Sequence, residues 1–287
     1  MSKGSPHIAV FGPGLMGASL LMALRAKSPE AKLSVWARRP AAVQEVISRG
    51  LADTGSTEVP AVVGEADIVV LCLPVDRMAD LAAAIAPHAK PEALVTDVGS
   101  TKEKPVADLE KIFARDRNFV GSHPMCGSEE SGMGAARADL YEGAVCVVCP
   151  TAASRPEMVR QAETLWKTAG GRVTLLPPAA QDYAVAAVSH TPHVVAAALV
   201  ELAALAHEDH RQLCATGFRD TTRIAAGSPE LWSAILSDNA EKTAAALEKM
   251  EAILAGYREL LTAGHRAELA GKLAAAAEAR AQIFPNH

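Results

Sequence analysis

The sequence predicts an α/β fold in which an N-terminal, doubly wound parallel sheet is followed by an all-α C-terminal domain. Short apolar strands alternate with helical segments as far as Leu175, and the pattern then changes to long apolar helices with few strand signals. Pro177 and Pro178 separate the two patterns. We therefore expect a sheet-containing domain over residues 1–177 and a helical domain over residues 178–287.

A glycine motif follows the first predicted strand, residues 7–11. Its sequence is Gly12-Pro13-Gly14-Leu15-Met16-Gly17, and a helical pattern comes next. The three glycines allow a tight turn, the approach of a pyrophosphate to the backbone, and close packing of helix on strand. The helix N-terminus offers unpaired N–H groups to the phosphates. Because residues 33–37 supply the second strand of a βαβ unit, the motif predicts a Rossmann-type dinucleotide site at Gly12, Gly14, Leu15, Met16 and Gly17.

The end of the second strand bears on the choice of cofactor. An acidic residue about 20 residues after the glycines holds the ribose 2′-hydroxyl of NAD. This chain has Arg38 and Arg39 there instead. A guanidinium group is a planar fork of donors that matches a phosphate. We therefore expect NADP. NAD is the alternative, in which the two arginines are solvated or stack on adenine without discriminating.

Two further strands end in residues suited to a ligand site. The first, residues 66–75, ends in a turn at Leu73 and Pro74, and the second, residues 94–98, is followed by Ser100 and Thr101. Ligands of open parallel sheets bind at the carboxyl ends of the strands. These residues should therefore meet over one crevice beside the glycine motif.

His123 also follows an apolar segment, residues 118–120, and should lie over the same crevice. The stretch from Gly121 to Gly132 surrounds it with glycines, small hydroxyls and carboxylates. A histidine has an ordinary pKa near ~6.5, so it can take or give a proton at neutral pH. Taken alone, the stretch is equally compatible with a polar surface turn that carries a solvated histidine.

Composition narrows the choice of partners. The formal charge is −5, from 28 Lys+Arg and 33 Asp+Glu, without a basic run, which argues against nucleic acid or an anionic membrane. We see no apolar run of the ~18 residues that a membrane span needs, and no signal peptide. Cys146 and Cys149 have redox or metal spacing, but their apolar flanks indicate a strand. We expect no metal, and a cytoplasmic, reduced protein.

Four ordered motifs give the chain a family resemblance. They are Asp97-x-Gly99-Ser100-x-Lys102; Gly121-Ser122-His123-Pro124-Met125-x-Gly127-Ser128-Glu129-x-Ser131-Gly132; Ser189-His190-x-Pro192-His193; and Gly217-Phe218-Arg219-Asp220-x-Thr222-Arg223-Ile224-Ala225. In this order the sequence resembles the prephenate/arogenate dehydrogenase family. The resemblance implies an oxidoreductase of tyrosine biosynthesis, which oxidatively decarboxylates prephenate or arogenate and transfers a hydride to a nicotinamide cofactor.

The resemblance also implies roles for individual residues. His123 would be the catalytic histidine, and Ser100 would orient it or the substrate hydroxyl. Arg223 would hold a substrate carboxylate, with His193 in contact with the substrate. The remaining candidates are Ser128 and Glu129 at the mouth of the pocket, His190 for the substrate, and Leu73, Pro74 and Thr101 for the cofactor. For His190 a core or capping role is equally compatible with the sequence.

The helical half carries the remaining signals. Residues 184–196 predict one helix interrupted at Pro192, with His190 and His193 on one face and no third metal ligand in view. Residues 241–284 predict at least two Ala/Leu-rich helices with a break near Gly264. So much apolar helical surface favours a homodimer through this half. Since the sequence ends at His287, we expect no regulatory or mutase domain of the kind that some relatives append.

Two alternatives to this dehydrogenase remain. A β-hydroxyacid dehydrogenase-like reductase shares the glycine loop but is expected to depend on a lysine in the helical half. A non-catalytic dinucleotide sensor would signal through its dimer and needs no convergent Ser100, His123 and Arg223.

Overall fold

A computed structural model describes residues 5–205 and 211–284 of the chain. It divides into two compact units, Met1–Ala240 and Glu241–His287. The first unit contains both sheets and most of the helices. The domain boundary that we expect at residues 177 and 178 stays a prediction.

The first sheet has five strands, all parallel, which confirms the doubly wound parallel sheet that the sequence predicts. Its strand order is β3-β2-β1-β4-β5, so the chain moves outward from β1 in both directions, as in a doubly wound fold. Its elements are β1 (His7–Phe11), α1 (Leu15–Lys27), β2 (Lys32–Trp36), α2 (Pro40–Ser48), β3 (Thr54–Ser56), α3 (Val59–Val63), β4 (Ile68–Leu71), α4 (Met78–Ile85), β5 (Leu94–Asp97) and α5 (Glu103–Ile112).

Apolar side chains cover both faces of this sheet. On β1, Ile8 and Val10 enter one buried cluster, while Ala9 and Phe11 enter a second cluster on the opposite face. Adjacent residues of a strand point to opposite faces, so a strand buried on both sides needs a continuous apolar run. This requirement explains why the first strand shows no alternation of polar and apolar residues.

A second sheet has three strands in the order β6-β7-β8, with β6 (Gly121–Pro124) antiparallel to β7 (Val145–Cys149) and β7 parallel to β8 (Arg172–Leu175). The helix α6 (Pro156–Ala169) connects β7 to β8. His123 therefore lies within a strand. The sequence predicts His123 at a strand end just after residues 118–120, with a surface turn as the alternative. In the structure Gly121–Pro124 itself pairs with β7, and the turn begins only afterwards.

The helical part begins with a long interrupted helix. α7 (Pro178–Val185) continues through a π-helical turn, Ala186–His190, into α8 (Thr191–Ala204). The interruption predicted at Pro192 is thus a widened turn just before it. The following elements are α9 (Thr216–Thr222), α10 (Pro229–Asp238), α11 (Ala240–Thr262) and α12 (Arg266–Ile283), and Gly264, with φ +70°, separates the last two as predicted.

By length and composition, Pro178–Ala204 could cross a membrane. Its apolar sequence is interrupted by polar residues, which is why the sequence shows no continuous apolar run of this length. Among these residues, Gln181, Asp182, His190 and His193 are all buried in the first unit. Asp182, for example, accepts hydrogen bonds from the backbone N–H groups of Lys102 and Glu103. A lipid-facing helix would leave such groups without partners, so these contacts favour a core helix.

Candidate active site

Most of the predicted site residues line one cavity of about 490 Å³ in the first unit. The glycine loop forms one wall, and the loops after β4 and β5 and strand β6 form others. The predicted residues on its lining are Gly14, Leu15, Met16, Leu73, Pro74, Ser100, His123, Ser128, Glu129 and Arg223.

A second cavity of about 370 Å³ is lined by Arg38 and Arg39, together with Gly12. The two cavities share Gly14 and Leu73 on their linings. They therefore adjoin at the glycine loop, with the histidine in one and the arginine pair in the other. A dinucleotide has this extended form, with its nicotinamide and adenosine ends far apart.

The geometry of the glycine loop fits a dinucleotide. Gly12 has φ +103°, and a Cβ there would lie 2.5 Å from the backbone oxygen of Cys72. A Cβ on Gly17 would lie 2.1 Å from the backbone oxygen of Gly12, so the helix can pack on the loop only through glycine. At Gly14, which precedes α1 as its N-cap, a Cβ would enter open space. That space is where phosphates would approach the helix N-terminus.

His123 is held between strand and helix. Its exposed fraction is 7%, and its Nδ1 lies 3.1 Å from the side-chain nitrogen of Gln181 on α7. The same nitrogen donates to the backbone oxygen of Ser100 at 3.1 Å. Burial, with smaller contributions from the charge of Lys102 and from His190, lowers the pKa of His123 to about 3. The ring is therefore neutral at physiological pH, as an acceptor of a proton or hydrogen bond must be.

A buried ion pair fixes the backbone next to His123. Lys102 and Asp97 have no exposed surface, and Nζ lies 2.6 Å from Oδ2. The carboxylate also accepts from the backbone N–H of Gly99 at 2.8 Å and of Ser122 at 2.9 Å. One carboxylate thus ties together the end of β5, the loop that carries Ser100, and β6. The motif Asp97-x-Gly99-Ser100-x-Lys102 therefore anchors the loop that carries Ser100.

The polar rim of the cavity includes an ion pair between Arg223 and Glu129. Arg223 begins a short 3₁₀ segment after α9, and Glu129 lies in the loop after β6. The side chain of Arg223 is 56% exposed. Hydrogen bonds from its own backbone N–H and from Arg223 lower the pKa of Glu129, which keeps it charged. Ser128 precedes it on the same lining.

Four predicted site residues line neither cavity. Gly17 packs against the loop, as described above. Thr101 is buried and donates its hydroxyl to Asp238. His190 is fully buried, with Nδ1 3.2 Å from the amide nitrogen of Asn239. His193, 7% exposed, stacks on Trp232 with ring centroids 3.6 Å apart. The cofactor role expected for Thr101 and the substrate roles expected for both histidines would thus be indirect in this conformation.

Sequence reasoning missed two residues of the site. Trp232, on α10, lines the main cavity and is backed by the stacked ring of His193. The sequence feature that could have identified Trp232 is the rarity of large aromatic residues, since the chain has three tryptophans and 4% aromatic residues. Gln181 contacts His123 directly, and no motif distinguished it from any other polar residue of a helix. Among the described residues, no group of three His, Cys, Asp or Glu side chains could hold a metal.

The fold and these cavities define a dinucleotide-binding oxidoreductase with a neutral histidine beside the cofactor loop. Family models agree. Residues 20–175 match the prephenate dehydrogenase nucleotide-binding domain, and residues 177–275 match the prephenate dehydrogenase dimerization domain. The chain belongs to the prephenate dehydrogenase family, which confirms the resemblance found in the motifs.

Individual relatives cover nearly the whole chain. It is 31% identical to a cyclohexadienyl dehydrogenase of Zymomonas mobilis over 261 residues, covering 90% of this chain and 88% of that protein. Aquifex aeolicus prephenate dehydrogenase, solved with hydroxyphenyl propionate and NAD+, is 30% identical with a TM-score of 0.91, over 99% of this chain and 100% of that one. A Synechocystis arogenate dehydrogenase is 28% identical with a TM-score of 0.83, over 97% and 100%.

Proposed function

We propose that this protein oxidatively decarboxylates prephenate or arogenate, with hydride transfer to NADP, as a step of tyrosine biosynthesis. The observation that carries the proposal is the position of His123, buried and neutral on the cavity that Gly14 and the glycine loop also line. The names of the relatives above support the substrate class. A nicotinamide dinucleotide, when bound along the two cavities, supplies the hydride acceptor.

His123 would act on the substrate hydroxyl. Hydride loss from the carbon that bears this hydroxyl builds positive charge there, so the O–H group needs a hydrogen-bond acceptor or base. A neutral imidazole can provide it, with a typical acceleration of about 10²–10⁴-fold. An imidazolium would instead donate to the oxygen and oppose the reaction. The low pKa of His123, about 3, supports the neutral form over the whole physiological range.

The protein would also hold the substrate carboxylates. Loss of CO₂ makes the ring aromatic, so this bond needs orientation more than further activation. Arg223 offers an always-charged fork that can bind a carboxylate through two parallel hydrogen bonds. Among the described residues that line the main cavity, Arg223 is the one lysine or arginine. Ser100, on the same lining, is placed to orient the hydroxyl or His123, whereas Trp232 can pack against the substrate ring.

Arg38 and Arg39 support NADP over NAD. Both line the second cavity, beside the end of β2, where an NAD enzyme would place a carboxylate. The discriminating experiment is a pair of charge-reversal variants, Arg38→Asp and Arg39→Asp. We expect the ratio of NADP to NAD affinities to fall about 10-fold or more in at least one of them, because a 2′-phosphate loses a charged hydrogen bond. An unchanged ratio in both would contradict the assignment.

We further propose that the protein is a cytoplasmic homodimer that pairs through its helical half. The family model for residues 177–275 is described as a dimerization domain, which supports this assembly. α11 and α12 leave large apolar side chains exposed, among them Ile253, Leu261 and Leu273. Light scattering of the purified protein tests the dimer. A monomer at micromolar concentration would contradict it.

The activity is tested by a two-by-two assay of prephenate or arogenate with NAD or NADP, followed by the absorbance of the reduced nicotinamide. We expect turnover with NADP, lost in His123→Asn while NADP binding is kept. Turnover with only one of the four combinations identifies both the substrate and the cofactor. Absence of turnover in all four combinations, with NADP still bound, would contradict the proposal and favour the reductase or the sensor, which the family match does not support.

A further inference from the structure

Gln181 lies between the candidate catalytic histidine and the loop that carries Ser100. It is in the first turn of α7 and is fully buried. Its Nε2 atom is 3.1 Å from the backbone oxygen of Ser100 and 3.1 Å from Nδ1 of His123. Gln181 lines neither of the two cavities, so its side chain is connected to the candidate site through these two neighbours.

The carbonyl group of Ser100 decides which way the Gln181 amide points. A carbonyl oxygen only accepts hydrogen bonds, so in this structure the amide faces it with its nitrogen. One hydrogen of the NH₂ group is used there, and the other is available to Nδ1 of His123. Nδ1 is then an acceptor, and the neutral ring carries its proton on Nε2.

This tautomer matters because Nε2 is the ring nitrogen left for the cavity. With a proton on Nε2, His123 meets a ligand hydroxyl as a donor. With the proton on Nδ1, Nε2 becomes an acceptor. Hydride loss from a hydroxyl-bearing carbon is assisted by an acceptor at that hydroxyl and opposed by a donor, so the two tautomers differ in catalytic competence.

We propose that Gln181 is a positioning residue that sets the tautomer of His123. Its amide nitrogen holds the donor form in the free protein. A turned amide gives the acceptor form by presenting its oxygen to Nδ1–H, and it gives up the hydrogen bond to the Ser100 carbonyl. The oxygen, Oε1, is buried without a hydrogen-bond partner in the part of the chain that the structure describes. A buried acceptor without a partner is costly, and in the turned amide its new hydrogen bond to Nδ1–H offsets the loss of the hydrogen bond to Ser100. The catalytic consequence rests on the function proposed above.

Other charged groups also face His123. Asp97 and Lys102 form the buried pair beside β6, His190 approaches from the π-helical turn, and Asp182 neighbours Gln181 on α7. On strand β7, Val147 lies opposite His123, and the thiol of Cys149 is on the same face of the sheet as Val147. None of these groups changes in a Gln181 variant, so a change in His123 there reports the altered amide.

The tautomer is measured by nitrogen-15 NMR of the His123 ring, assigned by comparison with His123→Asn, in the free protein. We expect a protonated Nε2 and an unprotonated Nδ1 in the wild type. In Gln181→Glu, whose carboxylate only accepts, we expect the reverse. Gln282→Glu, an exposed position on α12, is the matched control and should leave the ring signals unchanged. A protonated Nδ1 in the wild type, or one tautomer in both proteins, would overturn the proposal.

Kinetics test the catalytic consequence. The new carboxylate of Gln181→Glu favours the protonated ring, so the acid limb of kcat/KM should move up by about one pH unit or more. Gln181→Met, which neither donates nor accepts, should lower kcat about 10-fold without changing the KM for the cofactor. An unchanged acid limb in Gln181→Glu would overturn the catalytic role. A wild type inactive in every substrate and cofactor combination would contradict the proposed function instead and leave the NMR result standing.

Discussion

Arg223 donates a hydrogen bond to a carboxylate oxygen of Glu129, and both side chains line the main cavity. The pair joins a 3₁₀ segment of the helical part to the loop after β6. Because the arginine is half-exposed, water screens the pair, and such a pair contributes about 0–1 kcal/mol to stability. A guanidinium held this weakly can exchange one carboxylate for another.

If Arg223 exchanges Glu129 for a substrate carboxylate, its removal should weaken substrate binding. Arg223→Gln should raise the KM for the carboxylate substrate about 10- to 100-fold, the range expected for lost hydrogen bonds to a charged group. The free energy of unfolding should change little. Steady-state kinetics and urea denaturation measure the two quantities. Arg219→Gln is the matched control, since Arg219 pairs with Asp220 in solvent and does not line the cavity. Equal KM values for the two variants would contradict the role of Arg223.

The glycine loop predicts opposite effects for two Gly→Ala variants. At Gly17 a Cβ meets the backbone oxygen of Gly12 at 2.1 Å, so Gly17→Ala should lower stability by about 1–3 kcal/mol through forced backbone shifts. At Gly14 a Cβ meets no atom within 4 Å, so Gly14→Ala should keep its stability and weaken dinucleotide binding. Urea denaturation and cofactor titration separate the two. A stable Gly17→Ala that binds cofactor normally would contradict the packing role.

Strands β1, β4 and β5 were predictable because their apolar runs are local signals, whereas β6 and the contacts across the cavity were not. Gly12, Gly14 and Gly17 act through the backbone of one loop, so their spacing alone predicts a dinucleotide-binding turn. Gln181 reaches His123 over 58 positions of sequence, and a glutamine on a helix carries no sign of such a contact. Thr101 shows the opposite case. It follows a strand end as cofactor residues do, yet its hydroxyl turns inward to Asp238, because only the packing of α10 decides which neighbour it meets.

The buried pair of Lys102 and Asp97 predicts a large loss of stability. In Lys102→Met the Asp97 carboxylate keeps two backbone donors but loses its counter-ion in a site without exposed surface. Breaking such a pair costs about 3–5 kcal/mol. Lys104→Met is the matched control, because Lys104 pairs with Asp108 in solvent and should contribute under about 1 kcal/mol. Urea denaturation checks both variants, and similar losses would contradict the anchoring role of Lys102.

The buried histidines predict that acid destabilises the protein well above the range in which carboxylates titrate. Burial lowers the pKa of His123 to about 3 and that of His190 to about 4. The unfolded rings titrate near ~6.5, so between that pH and the folded values the unfolded chain binds more protons, and the free energy of unfolding falls as the pH falls. From pH 7 to pH 5, His123 alone should remove about 2 kcal/mol. His123→Asn should flatten the pH dependence by that amount, whereas His88→Asn, at an exposed position, should not. A wild-type stability that stays constant over this range would show that His123 is charged in the folded protein and cannot serve as the acceptor.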